Sequence, residues 1–210
     1  MPNTVILVCG YKRTGKDTLM SILAGTTSRF HWRIYKHPSA LQKRFDHEIY
    51  IRTAFADALK REAGIEYGIP LEVPDSDKDS KLYVHYQTGE LVSARDIYIE
   101  WGSIRRSQDI DYWCKAAFNT IKSDDNAAYV VTDWRFSNEG NYVTRAFPSV
   151  ITVRVYRSDV PEPDANIESE HQLDYYQTDF LLLSDGVDGE FERAVQKFPQ
   201  YANYVECEVI

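Results

Sequence analysis

Lys12, Arg13 and Lys16 crowd into five positions of the stretch GYKRTGKDT, residues 10 to 18. Like charges this close repel one another, and a bound anion offsets them. Gly10, Gly15 and Lys16 fit G-x-x-x-x-G-K, the phosphate-binding loop, which makes a nucleotide phosphate the expected anion. In that motif the glycines let the backbone come close, successive N–H groups and the start of the next helix face phosphate oxygens, and the lysine reaches the β- and γ-phosphates. Gly10, Lys12, Arg13, Thr14, Gly15, Lys16, Asp17 and Thr18 are therefore the expected nucleotide contacts. The plain alternative is a glycine turn carrying solvated lysines.

Asp17 stands where the motif usually has a Ser or Thr on Mg²⁺. Magnesium prefers hard oxygen ligands and keeps several waters, so a carboxylate can hold it directly or through water. The helix dipole would equally favour an Asp in the first turn, and Thr18 is the next hydroxyl available to the metal. A second metal candidate, Asp133, ends the apolar run AYVVTD as a Walker-B carboxylate does, although strands commonly end in Asp as they enter a turn. Arg135 follows two residues later, where it would face the same phosphates.

Such a site requires a strand before the loop and a helix after it. TVILVC, residues 4 to 9, is a continuous apolar run that reads as a strand buried on both faces. Leu19, Ile22 and Leu23 mark the helix that follows. The segment 26–47 has no decisive period and is left unassigned. EIYIRTAF (48–55) predicts a second strand leading into a helix over 56–66, and the polar, proline-bearing stretch 69–90 predicts a loop or small excursion. Ile97, Trp101 and Ile104 predict one amphipathic helix, and Ile110, Trp113, Cys114, Ala117 and Ile121 another. AYVVTD (128–133), VITVRVY (150–156) and FLLLSD (180–185) read as strands; a helix is expected between the first two, and a last one carries Val187, Phe191, Ala194, Val195 and Phe198. Strands alternating with helices predict an α/β fold with a doubly wound parallel sheet and ligands at the strands' carboxyl ends.

The 210 residues suit a single domain spanning 1–210, with insertions near 26–47 and 68–92 as substrate or lid regions. A net charge of −8 argues against a broad grip on nucleic acid or an anionic membrane, so neither is an expected partner. The 3 cysteines are odd in number and lack close spacing, which indicates neither a disulfide framework nor a zinc site. With no basic leader and no run of 18 apolar residues, a cytoplasmic protein is expected.

GYKRTGKDT resembles the G-x-K-R-x-G-K-D-T loop of the deoxynucleoside monophosphate kinases of T-even bacteriophages and their relatives, a branch of the P-loop kinases. That resemblance also accounts for Asp17. It continues through FADALK (55–60), RDIYIEWGS (95–103, similar to R-x-x-x-Q-x-x-G-T) and DIDYW (109–113). VVTDWRFSNE (130–139) is similar to D-x-R-F-x-N-E, and SEHQLD (169–174) to a late S-E-x-x-L motif. Ile99 stands in place of the family's glutamine, Ser103 replaces threonine, and 26–47 has no counterpart.

The resemblance implies a P-loop NTPase fold of the nucleoside-monophosphate-kinase type, with a five-stranded parallel sheet and helices on both faces. It implies an enzyme that passes the γ-phosphoryl group of ATP, with Mg²⁺, to a deoxynucleoside monophosphate, and it implies a homodimer. The acceptor oxygen is already anionic, so arginines rather than a general base are expected to do the work. Lys16, Arg13, Arg135 and Asp133 are then the catalytic set, and Arg95 the first choice for the acceptor. Arg105 and Arg106 are further phosphate candidates, or cations drawn to a helix C-terminus. Asp57 and Lys60 resemble acceptor-site residues but also form an ordinary i, i+3 charge pair. Phe55, Trp101 and Trp113 can stack a base or fill a core, and Glu139 and Glu170 carry over from the late motifs. Two other readings stay open: a phosphomevalonate kinase, whose loop is similarly Lys-Arg-rich, and a regulatory module that binds nucleotide without transferring phosphate.

Overall fold

TVILVC forms a strand, β1 (Thr4–Cys9), in which every residue is buried, as a strand covered on both faces must be. The computed structural model describes residues 4–26, 32–40, 42–45, 47–119, 121, 127–184 and 188–207. The expectation for Val187 lies outside the described residues, as do parts of the segment 26–47. After β1 come α1 (Lys16–Leu23), β2 (Trp32–Lys36), β3 (Ile49–Thr53), α2 (Phe55–Tyr67), β4 (Leu82–Val84) and β5 (Leu91–Ser93). The chain continues with α3 (Ala94–Gln108), α4 (Tyr112–Phe118), β6 (Ala127–Val131), α5 (Ser137–Ala146) and β7 (Ser149–Tyr156). It closes with α6 (Glu168–His171), β8 (Phe180–Ser184), α7 (Glu190–Lys197) and β9 (Val205–Cys207). By internal contacts the chain divides into two units, residues 1–53 with 122–210, and residues 54–121.

The first unit is built on a sheet of order β3-β6-β1-β7-β8-β2-β9. β3, β6, β1, β7 and β8 run parallel. β2 pairs antiparallel with β8 and with β9. The sheet thus has seven strands among the described residues rather than the five expected. The two extra strands escaped sequence reading for physical reasons. β2 buries only Ile34 and Tyr35 between Arg33 and Lys36, and β9 has only 3 residues, so neither shows a period.

Side chains alternate across the sheet. Ile6, Val8, Phe180 and Leu182 join Leu19 and Met20 of α1 in one cluster. Leu181 and Leu183 face the other way, onto Ala194 of α7 and onto Phe198. Fully burying each such aliphatic side chain contributes about 1.5–3 kcal/mol, and the result is a sheet with helices on both faces. All five parallel strands end at one edge of the unit, which is where ligands of such sheets bind.

In the second unit, α2 packs on α3 and α4. Leu59 of α2 lies against Gly102 of α3, and the Trp113 indole N–H donates to the Gly102 carbonyl at 3.1 Å. The polar stretch 69–90 contains more order than expected, since β4 and β5 pair as an antiparallel hairpin that runs directly into α3. Ser93 starts that helix by accepting the Asp96 N–H on its hydroxyl at 3.1 Å.

Candidate functional site

The loop after β1 is shaped by one close approach. Gly10 has φ 140°, and a Cβ on it would stand 2.3 Å from the carbonyl oxygen of Val155 in β7. Only glycine fits there. Arg13 takes the left-handed region at φ 71°, the only non-glycine to do so among the described residues. That costs about 1–2 kcal/mol, the kind of strain that collects at ligand clamps. Gly15, with φ 101°, is the residue before α1, so the unsatisfied N–H groups of the first helical turn open onto the loop.

The loop is tied together at the Tyr11 carbonyl. That oxygen accepts the Thr14 N–H at 3.3 Å, the Thr14 hydroxyl at 2.9 Å and the Lys16 ammonium at 2.7 Å. Lys16 also donates to the Gly10 carbonyl at 2.7 Å. Its ammonium therefore folds over the loop, held by carbonyls that a phosphate would outbid with full charge. Burial lowers the Lys16 pKa first and the nearby Arg135 charge next, while Glu170 opposes them. Lys12 and Arg13 are exposed, and Thr14 is buried.

Arg135 reaches this site from the loop after β6. Trp134 beside it is 1% exposed, with its indole N–H on the Phe136 carbonyl at 2.9 Å, and anchors the turn between Asp133 and Arg135. The Arg135 guanidinium pairs with the carboxylate of Glu170 from α6. Asp133 is half-buried. Glu139 is buried, and one of its carboxylate oxygens accepts the N–H groups of Arg135 and Phe136 at 3.0 and 3.1 Å. It thereby caps α5 and fixes the turn bearing Arg135.

Asp17 projects from the first turn of α1 with 86% of its side chain exposed, 4.0 Å from Arg52 of β3, and Thr18 is half-buried. No three His, Cys, Asp or Glu side chains group to hold a metal among the described residues. Asp17 and Thr18 nevertheless place hard oxygen atoms at the start of α1, the ligand type that Mg²⁺ prefers.

Four residues that the sequence reading passed over stand behind the loop. Tyr11 donates its hydroxyl to both oxygens of Asp174 at 3.0 Å. His171 Nδ1 lies 2.8 Å from the same carboxylate. Arg154 of β7 sits opposite Cys9 of β1 and is 2% exposed. It donates to the Tyr201 hydroxyl at 2.8 Å and to the Leu173 carbonyl, and its guanidinium lies 4.5 Å from the Phe198 ring centre. The one available signal was an arginine inside the otherwise apolar strand VITVRVY.

The hydrogen bond to Asp174 holds the His171 pKa above its ordinary value of 6.5, against the opposing effect of burial. The folded state thus binds this proton more tightly than the unfolded chain. The stability it contributes is complete below the unfolded value and is lost as pH rises through the folded one. In urea titrations between pH 5.5 and 8.5, the wild-type midpoint should fall across that window by more than that of His171→Gln; parallel curves would refute the assignment.

The remaining candidates lie in the second unit. Asp57 and Lys60 form an i, i+3 pair at 4.0 Å. Arg95 forks onto Asp79 at 2.5 and 3.1 Å. Arg105 donates to Glu62 at 2.6 Å and lies over the rings of Trp101 and Tyr112, at 4.9 and 5.2 Å. Arg106 lies beside Gly102. Phe55 and Trp113 are buried, Phe55 edge-on to Phe118 at 6.0 Å. Trp101 is buried edge-on to Tyr67 at 5.8 Å.

No helix among the described residues is long and apolar enough to cross a membrane. No protein-family profile matches the chain, and no curated protein matches it.

Proposed function

We propose that the chain is a P-loop kinase that transfers the γ-phosphoryl group of Mg·ATP to a deoxynucleoside monophosphate. The observation that carries this reading is the Lys16 ammonium, lodged on the carbonyls of Gly10 and Tyr11 between a buried strand and a glycine-started helix. An ammonium so held sits on the loop itself, next to the first turn of a helix whose unsatisfied N–H groups favour an anion. Two further observations support it. The five parallel strands place β1 and its loop at their middle, in the order β3-β6-β1-β7-β8, as suits a P-loop fold of the nucleoside-monophosphate-kinase type. Lys16 also stands in the field of Arg135 and Glu170, residues of the D-x-R-F and S-E-x-x-L elements. The acceptor specificity rests on the resemblance of those later motifs.

The chemistry asks little of a general base, because the attacking phosphate oxygen is anionic near neutral pH. Lys16 and the loop N–H groups neutralise charge on the donor phosphates, and Arg135 supplies a planar guanidinium for the oxygens of the transferring group. Asp17, Thr18 and Asp133 are the residues to hold Mg²⁺, which supplies further neutralisation when bound. Arg95, Arg105 and Arg106 are the acceptor candidates; Arg95 and Arg105 are already neutralised by Asp79 and Glu62.

The test is turnover with Mg·ATP against a panel of deoxynucleoside and ribonucleoside monophosphates and phosphomevalonate, with ADP and the phosphorylated product both measured. Formation of deoxynucleoside diphosphate is the expected result. Activity on phosphomevalonate alone, or on nothing, overturns the reading. The ion pair of Arg135 with Glu170 adds a directional expectation: Glu170→Gln removes a carboxylate that competes with phosphate for the guanidinium. It should tighten Mg·ATP binding by about fivefold, read by calorimetry.

A further inference from the structure

Tyr11 connects the loop to the rest of the first unit. Its carbonyl organises Thr14 and Lys16, and its side chain is 5% exposed in a cluster with Phe198 and Leu183. Burial and then the Asp174 charge push its phenol pKa upward, so the hydroxyl remains a donor to the carboxylate 3.0 Å away. Asp174 is itself fixed. His171 Nδ1 touches it at 2.8 Å, the Arg154 guanidinium stands 4.0 Å off, and its backbone carbonyl accepts the Gln200 amide at 2.7 Å. Only 17% of its side chain is exposed. Four residues earlier, Glu170 holds Arg135, so the single stretch 168–174 grips both sides of the candidate site.

Resting on the phosphotransfer reading above, we propose that Asp174 is a positioning residue for the phosphate-binding loop, acting through the Tyr11 hydroxyl. Fixing that side chain fixes the peptide whose carbonyl gathers Thr14 and Lys16. The loop then meets a triphosphate without first having to order itself, and preorganisation of this kind is recovered as affinity. Neither Tyr11 nor Asp174 touches the nucleotide in this account.

Tyr11→Phe tests it cleanly, because the ring keeps its place 6.2 Å from Phe198 while the hydroxyl is lost. Calorimetry with Mg·ATP and with inorganic tripolyphosphate should show Kd raised about fivefold for both probes, with the urea midpoint little changed. Asp174→Ala, which also frees His171 and Arg154, should raise Kd at least as far, and the double variant no further than the weaker-binding single, since both variants remove the same Tyr11–Asp174 hydrogen bond. A purely structural role would instead lower the urea midpoint and leave Kd alone. Wild-type affinity in Tyr11→Phe, or additive effects in the double variant, overturns the proposal while the phosphotransfer reading stands. If Asp174→Ala does not fold, Tyr11→Phe decides alone. Wild-type protein that binds neither probe removes both the proposal and the reading beneath it.

Discussion

Lys16→Ala should lower kcat/KM for phosphoryl transfer by about 10³-fold, the scale lost when one preorganised donor to developing charge is removed. The ammonium is the one side-chain cation seated within the loop itself, donating to Gly10 and Tyr11. Its loss leaves the backbone N–H groups without their charged partner. Stability should barely move, by about 1 kcal/mol or less, because a hydrogen bond between a lysine and a carbonyl is largely exchanged for one to water. Burial already disfavours the charged form, as the lowered pKa records. Lys16→Arg should not restore the rate, because a longer planar fork cannot sit on the same two carbonyls. Initial rates with Mg·ATP, set beside urea unfolding of each variant, check both halves; activity within tenfold of wild type would remove Lys16 from the mechanism.

Gly10→Ala should cost about 3–5 kcal/mol of folding stability. The added Cβ would lie 2.3 Å from the Val155 carbonyl oxygen and 2.9 Å from the Thr14 hydroxyl, at φ 140°. The first of these is backbone belonging to β7, which pairs with β1 along Thr4 to Cys9, so relief requires breaking a buried ladder. A side chain could have rotated away; a strand cannot. Because this prediction concerns packing alone, it holds whatever the loop binds. Urea titration gives the answer, and a loss below about 1 kcal/mol would mean that the loop does not approach β7 in this way.

Much of this unit can be read directly from the sequence. β1 announced itself as an unbroken apolar run because it is covered on both faces. α1 showed its period, and the spacing of Gly10, Gly15 and Lys16 marked the turn between them. β6, β7 and β8 were legible for the same reason as β1. β2 and β9 were not, since their order comes from pairing with each other and with β8 rather than from any pattern of their own. Glu139 illustrates a second limit: the motif marked it, but only the turn at Phe136 reveals that its carboxylate serves backbone N–H groups.

Residue types and their local spacing are thus enough to specify the loop and its flanking elements, because a buried strand, a glycine turn and a lysine at the helix start are all properties of neighbours in the chain. What lies behind the loop is different in kind. Tyr11 meets Asp174 across 163 positions, and Arg135 meets Glu170 across 35. Those partners come together only when β7 lies beside β1 and the stretch before β8 folds back, so the sheet order, not any motif, decides which carboxylate each of them finds.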